Sequence, residues 1–188
     1  MKEIFNKKGM SLLEVLTVIA IIGIMSVIMM PQYSKYQKSK SLGLSRTQIM
    51  NDIRAVQSYT MTTVKSIDGT FPKGGYGIHF TAGDGVDSYI VFADGGTPDR
   101  EYNPANEFFE EIELPEGIEI NSLKVTADGV TSEVSLVDFV STPPYGVIYI
   151  DKKNKDAGGV GSFVTLEIGY TNGSSSDTVV LLSSGSIN

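Results

Sequence analysis

The sequence contains no cysteine, a single histidine and fewer basic than acidic residues, and each shortage excludes a class of site or function. Without cysteine the chain forms no disulfide and no thiolate metal site, so its 188 residues must fold on an apolar core and hydrogen-bond ladders. The formal net charge of −7 argues against general nucleic-acid binding, because that binding draws most of its affinity from neutralising phosphates.

The single histidine, His79, limits the nucleophilic chemistry open to this chain. A serine nucleophile would need His79 and an acid, and the sequence has no G-x-S-x-G turn. Residues 76–80 surround His79 with an apolar alternation, so we expect it on the exposed face of a strand. Ser174–Ser176 are typical of a flexible turn. The sequence therefore predicts a protein that is not an enzyme.

An apolar run of bilayer length occupies residues 10–30, and Glu14 is its one charged residue. At about 1.5 Å per helical residue the run spans about 30 Å, the hydrocarbon thickness of a membrane. A carboxylate costs about 2.5–3.5 kcal/mol at the bilayer centre and less toward the interface. The same helix face carries no cation, so we expect another chain to supply the countercharge.

The residues that flank the run predict its orientation and processing. The short leader before it carries Lys2, Lys7 and Lys8, which keep this end cytoplasmic and send the rest of the chain outward. No small-residue cleavage site follows the run, as a secretory signal would require. The predicted processing point instead lies before the run, between Gly9 and Met10.

Residues 8–24, KGMSLLEVLTVIAIIGI, resemble the class III signal of type IV pilins and type II secretion pseudopilins. The resemblance implies cleavage after Gly9 by a membrane aspartyl prepilin peptidase and N-methylation of the new terminus at Met10. It also implies that Glu14 pairs with the terminal amine of a neighbouring subunit during filament assembly. Met10 stands where the family usually has Phe, which bears on the rate of processing. The alternative is a plain signal anchor with a chance glutamate.

The predicted organisation is α+β, with a long N-terminal helix packed on an antiparallel β-sheet head. The four segments are a leader at 1–9, a membrane-spanning and assembly helix at 10–30, an amphipathic continuation of the helix at 31–68, and a β-rich head at 69–188. Pro31 predicts a kink where the helix leaves the bilayer. A stripe at helical spacing should pack on the sheet: Ile49, Ile53, Val56, Thr60 and Val64. The helix should end near Lys65–Asp68, with Gly69 as a stop.

Alternating segments and turn residues predict a series of strands in the head. These strands are 77–81, 88–93, 110–114, 118–120, 123–125, 134–140, 147–150, 163–170 and 178–183. The β region also resembles minor pseudopilin H and FimT-like pilins. That resemblance is carried by short segments in the same order: 75–78, 92–94, 114–118, Phe139 with Pro143, Pro144 and Gly146, and 179–187.

One loop of the head has the ligand types of a cation site. Carboxylates of Asp94, Asp99 and Glu101, with backbone carbonyls, offer oxygen ligands for Ca²⁺, which some pseudopilins bind. The spacing does not match an EF-hand and Arg100 interrupts it, so a solvated turn without a cofactor is the favoured interpretation. A nearby acidic group is likewise interpreted as a solvated strand face: Glu107, Glu110, Glu111 and Glu113.

These features predict a structural subunit of a type IV pilus-like or type II secretion filament. Its partners would be other pilin or pseudopilin subunits, the prepilin peptidase, an inner-membrane assembly platform and, before assembly, membrane lipid. The precursor would be a single-pass cytoplasmic-membrane protein with its head outside, and the product an extracellular or periplasmic filament. A minor pilin that binds DNA during uptake is the alternative, resting on Lys152, Lys153 and Lys155 between Asp151 and Asp156.

Overall fold

The computed structural model describes residues 11–62, 64–96, 98–127, 129–151, 163–171, 173 and 175–182. The chain divides into two compact units, an anchor unit at Met1–Lys40 and a head unit at Ser41–Asn188. The α+β class is confirmed, since one long helix precedes a series of antiparallel strands.

Helix α1 runs from Leu12 to Thr62 and contributes to both units. In the head unit its buried positions recur at helical spacing: Leu42, Ser45, Ile49, Ile53, Val56 and Thr60. The prediction that this stripe packs on the β structure is therefore confirmed, apart from Val64, which follows the helix and is half-buried. Pro31 lies within α1, and the predicted kink there stays a prediction.

The helix ends at Thr62, earlier than the predicted Lys65–Asp68. The backbone amide of Val64 donates to the Tyr59 carbonyl at 3.2 Å, five residues back, which widens the last turn. Asp68 belongs to a separate turn, because its carboxylate accepts from the backbone amide of Thr70 at 2.9 Å. A local side-chain bond of this kind competes with the helix for backbone groups.

Within the described residues, nine strands form two antiparallel sheets. The strands are β1 Gly75–Thr81, β2 Ser88–Asp94, β3 Phe108–Glu113, β4 Ile118–Ala127, β5 Val130–Val134, β6 Leu136–Thr142, β7 Val147–Ile150, β8 Phe163–Tyr170 and β9 Ser176–Leu182. The larger sheet has the order β3-β2-β1-β6-β7, and the smaller has the order β5-β4-β8-β9.

Three predicted strands are wrong in how the chain is divided among strands. Predicted strands 118–120 and 123–125 are one strand, β4, with a bulge between Ile120 and Ser122. Predicted strand 134–140 is divided at Ser135 between β5 in the smaller sheet and β6 in the larger. Gly129, with φ of 78°, allows the tight turn that pairs β5 with β4. At the division itself, the Ser135 carbonyl accepts a hydrogen bond from the backbone amide of Ala82 at 2.9 Å.

One apolar core joins the helix to both sheets within the head unit. Its largest fully buried members include Tyr76, Tyr89, Phe80 and Phe139. Hydrogen bonds add specificity, since Thr60 Oγ1 donates to the Ser141 carbonyl at 3.0 Å and Tyr89 donates to Asp52 Oδ2 at 2.5 Å. Arg46 Nε donates to the Thr178 carbonyl at 3.2 Å, so the helix is bonded to the smaller sheet as well.

Candidate functional site

The first candidate site is the N-terminal part of α1, where Ser11 caps the helix. The backbone amide of Leu13 donates to Ser11 Oγ at 3.2 Å, and that of Glu14 donates to the Ser11 carbonyl at 3.0 Å. The spacing from Ser11 to Glu14 is that of a capping box, a signal in the sequence that the sequence-based prediction did not use. A carboxylate in the first turn gains about 0.3–1 kcal/mol from the helix dipole. That gain offsets only part of the cost of a charge in lipid.

Beyond Ser11, the helix surface is apolar and exposed on every side. All side chains from Leu12 to Met30 are exposed. The two hydroxyls within this stretch turn back on the helix itself, because Thr17 donates to the Glu14 carbonyl and Ser26 to the Ile22 carbonyl, each at 2.8 Å. Glu14 is therefore the one charged residue of the stretch Leu12–Met30, and α1 is long and apolar enough to cross a membrane.

Two predicted residues of this site, Gly9 and Met10, lie outside the described residues. Lys152, Lys153 and Lys155, on which the DNA-binding alternative depended, also lie outside them. Cleavage, methylation and the intersubunit role of Glu14 therefore stay predictions.

The second candidate site lies where β2 ends and β3 begins. Residues 95–106 connect these strands and are called the strap below. One carboxylate oxygen each from Asp94, Asp99 and Glu107 lies within 4.8 Å of the others. Asp94 and Glu107 are buried, with 0% and 4% of their surface exposed, whereas Asp99 is exposed. The three carboxylates form a group that we call the acidic cluster.

The acidic cluster differs from the predicted set in its third member, which is Glu107 in place of Glu101. The backbone amide of Ala93 donates to the Glu107 carbonyl at 2.9 Å, so the end of the strap returns to β2. Glu107 Oε2 also accepts from the amide of Asn103 at 2.9 Å. The interpretation of Glu107 as solvated is wrong, because this return buries it, while Glu110, Glu111 and Glu113 are exposed as predicted.

Among the described residues, the negative charges of the acidic cluster have no ion-pair partner. Burial raises the pKa of the Asp94 carboxyl and the charge of Asp99 adds to the rise, whereas the amide hydrogen bond and the charge of Arg100 lower it in part. Burial also raises the pKa of Glu107, to which Asp94, Asp99 and Asp138 add repulsion. In the described part of the chain, no Lys, Arg or His nitrogen forms an ion pair with these three carboxylates. Asp94 Oδ1 has no hydrogen-bond partner there either.

Arg100, the cation nearest in sequence, directs its side chain elsewhere. Its backbone adopts φ of 64°, and its amide donates to Asp94 Oδ2 at 3.1 Å. Its guanidinium carbon lies 3.7 Å from the centre of the Tyr149 ring. Arg100 therefore supports Asp94 through its backbone while its charge stacks on an aromatic face.

His79 is half-buried, and the prediction of an exposed strand position is wrong. With 16% of its side chain exposed, its Nδ1 lies 2.7 Å from Oδ1 of the buried Asp138. The ring of Tyr102, in the strap, lies 5.0 Å from the imidazole and 5.5 Å from the Phe92 ring. The strap thus covers the face of the larger sheet that carries His79 and Phe92.

The fold and the first site define a subunit with an apolar N-terminal anchor helix and a separate β-rich head unit. Residues 4–30 match the prokaryotic N-terminal methylation motif. This segment is a prepilin signal of the type IV pilin and pseudopilin kind, and it supports a type IV pilin-like or pseudopilin subunit, structural rather than enzymatic. It implies a membrane-anchored precursor that prepilin peptidase processes and that assembles with other pilins. No curated protein and no solved structure matches the chain.

Proposed function

We propose that this chain is a subunit of a type IV pilus-like or type II secretion filament that polymerises through α1. Cleavage after Gly9 frees the amine of Met10, which is then methylated. In the filament that amine pairs with Glu14 of a neighbouring subunit. The observation that carries the proposal is the single carboxylate, Glu14, on the otherwise apolar and exposed stretch Leu12–Met30 of α1, which lies inside the matched prepilin motif.

The pairing follows from the cost of an isolated charge in an apolar setting. The helix dipole stabilises the Glu14 carboxylate in part, but it supplies no countercharge. A neighbouring amine at the same depth supplies one, and the attraction is strong because little water screens it. Removing one partner of a buried pair costs about 3–5 kcal/mol, because the other charge is left uncompensated. The pair therefore favours the correct register and disfavours uncleaved subunits.

Burial of the remaining apolar surface of α1 favours association of the helices after they leave the lipid. Large side chains surround α1 in the anchor unit, and in a filament they pack against the same surface of other subunits: Leu12, Leu13, Leu16, Ile19, Ile22 and Met25. The head lies outside the cytoplasmic membrane, the assembly platform lies in the inner membrane, and the filament is extracellular or periplasmic.

The substitution Glu14→Gln tests the proposal, since it keeps the size and helix propensity of the side chain and removes its charge. We expect membrane insertion and leader removal to persist, while the amount of subunit in sheared filaments falls at least about a hundredfold, as a loss of 3 kcal/mol or more implies. Immunoblots of the membrane and filament fractions measure both quantities.

Two further variants serve as controls for the Glu14 experiment. Glu110→Gln removes an exposed carboxylate from β3 and should leave filament entry unchanged. Glu14→Asp keeps the charge and should restore part of the filament signal. Entry of Glu14→Gln at the wild-type level would show that the carboxylate acts only as a helix cap, and the proposed pairing would be abandoned.

A further inference from the structure

One face of α1 within the head unit is exposed. It lies opposite the buried stripe and consists of side chains at helical spacing: Leu44, Thr47, Asn51, Arg54, Ser58 and Met61. Arg54 is the one charged residue of this face, and it forms no ion pair with any described residue. Met61, seven residues later, is a large apolar side chain that is 60% exposed. We call Arg54 and Met61 the helix patch.

The edge strand β3 carries the opposite charge on its outer face. Three of its residues pair with alternate residues of β2 and therefore share one face, which we call the strand patch: Phe108, Glu111 and Glu113. All three are exposed, and the two carboxylates form no ion pair with a described residue. The Ser88 hydroxyl donates to Glu111 Oε1 at 2.8 Å, which fixes the position of that side chain. Glu110 pairs with the intervening residue, Val91, and so belongs to the other face.

The sequence separates the two charges between these elements. Residues 31–62, the part of α1 beyond the apolar run, contain five basic residues and one acidic residue. Residues 101–123, which include β3, contain seven acidic residues and no basic one. An acidic edge strand resists pairing with other strands, but that role does not account for the unpaired cation on α1. Complementary charges on two surfaces steer association and fix its register.

The two patches also have the same direction. The Phe109 ring lies 6.2 Å from the Tyr59 ring, near the end of α1. Four residues later, the Glu113 carbonyl accepts from Gln48, eleven residues earlier in the helix, at 3.5 Å. Strand β3 therefore runs antiparallel to α1. Toward the C-terminal end of α1, the strand patch presents its acids and then its aromatic ring, and the helix patch presents its base and then its methionine.

The spacing within the two patches agrees as well. The pairing with β2 places the two carboxylates about 7 and 13 Å from Phe108 along the strand. Arg54 precedes Met61 by about 10 Å along the helix. When Met61 packs on Phe108, the Arg54 guanidinium thus falls between the two carboxylates.

We propose that the helix patch of one subunit docks on the strand patch of a second copy of this chain in the filament. The inference rests on the proposed filament function, in which every anchor enters the membrane in one orientation and the α1 helices are parallel. The guanidinium then binds Glu111 and Glu113, and the Met61 sulfur contacts the Phe108 ring. Because two different surfaces meet, the contact continues from subunit to subunit, whereas a contact between identical surfaces closes as a dimer.

Cross-linking tests the contact without background, because the natural chain has no cysteine. One variant carries both Asn51→Cys and Glu113→Cys, which flank the contact on its N-terminal side and keep Arg54 and Glu111 in place. A short bismaleimide should link this variant in sheared filaments into a ladder of dimers, trimers and larger multiples. Asn51→Cys with Glu110→Cys is the matched control, and it should give no ladder because residue 110 lies on the other face of β3.

Charge reversal tests the chemistry of the same contact. Arg54→Glu and Glu111→Arg should each lower the amount of subunit in sheared filaments at least about tenfold, because like charges then face each other. The variant with both substitutions should enter filaments at least about threefold better than either single variant, since the two charges are exchanged. Glu110→Arg should enter at the wild-type level. Both target residues are exposed, and immunoblots of the membrane fraction show whether each variant accumulates.

Three results would overturn the inference: no ladder from filaments of the first cysteine variant, wild-type filament entry by Arg54→Glu, or no recovery when both charges are exchanged. Each of these results leaves the proposed function intact as long as Glu14→Gln still fails to enter filaments. Normal entry of Glu14→Gln would instead remove the proposed pairing at the N-terminus, whatever the cross-links show.

Discussion

At the scale of single residues, Gly77 shows how a missing side chain fixes the packing beneath the strap. Gly77 pairs with Phe92 of β2 and Val140 of β6. A Cβ at residue 77 would lie 2.5 Å from Cζ of Phe92 and 2.9 Å from the Phe139 carbonyl oxygen. The Phe92 ring therefore lies over the glycine, and Tyr102 of the strap packs on that ring.

The substitution Gly77→Ala should destabilise the head by about 1–3 kcal/mol, because the new methyl group forces the Phe92 ring aside. Gly43→Ala is the matched control, since a Cβ there meets nothing within 4 Å and alanine favours the helix by about 1 kcal/mol. Urea unfolding of the full chain in detergent measures both changes. A Gly77→Ala variant as stable as the wild type would contradict the account of this packing.

The burial of Glu107 could not be predicted from the local sequence. Glu107 belongs to the same acidic stretch as Glu110, Glu111 and Glu113, and the local pattern gives it the same solvated position. Its burial depends on the return of the strap to Ala93, a contact between distant parts of the chain. The same return explains why the acidic cluster contains Glu107 and not Glu101. His79 was misjudged for a similar reason, because Asp138 reaches it from a strand 59 residues away.

At the scale of elements, a polar contact inside the core joins α1 to the larger sheet. The Tyr89 hydroxyl donates to Asp52 Oδ2 at 2.5 Å, and Tyr89 is almost fully buried. Burial raises the pKa of Tyr89, and the hydrogen bond and charge of Asp52 raise it further. The folded state therefore holds the proton more tightly than the unfolded chain does. The resulting stability is complete below the unfolded pKa, near pH 10, and is lost as the pH rises above it.

The substitution Tyr89→Phe should cost about 1–3 kcal/mol at neutral pH, because Asp52 loses a hydrogen bond to a charged acceptor. The difference from the wild type should shrink by about 1 kcal/mol between pH 10 and pH 11, because only the wild type loses the stability tied to the Tyr89 proton. Urea midpoints at pH 7, 10 and 11 measure it, with Tyr145→Phe, at an exposed position, as the control. A constant difference between the variants across this range would contradict the assignment.

Helical periodicity predicted the buried stripe of α1 correctly, because a single helix face packs against the β structure. The division of β5 from β6 was missed, since residues 134–140 were predicted as a single strand and only Ser135 separates the two sheets. Alternation identifies a strand and its faces, and the choice of sheet depends on long-range pairing, here of β5 with β4 and of β6 with β1.

At the scale of the whole molecule, the two units were predictable to different degrees. The anchor unit follows from local sequence, since a basic leader, one acid and an apolar run sit within the segment that matches the methylation motif. The head unit was predictable as an α+β domain, but its two-sheet arrangement and its acidic cluster depend on contacts between distant segments. The proposed filament function rests on the anchor unit alone.

Intact-mass spectrometry of the subunit recovered from sheared filaments tests the central claim most directly. The account predicts a chain that begins at Met10 and carries one added methyl group, because only a free terminus there can neutralise Glu14 of the next subunit. A filament subunit that retains residues 1–9 would contradict it, since the terminal amine would then lie far from the depth of Glu14.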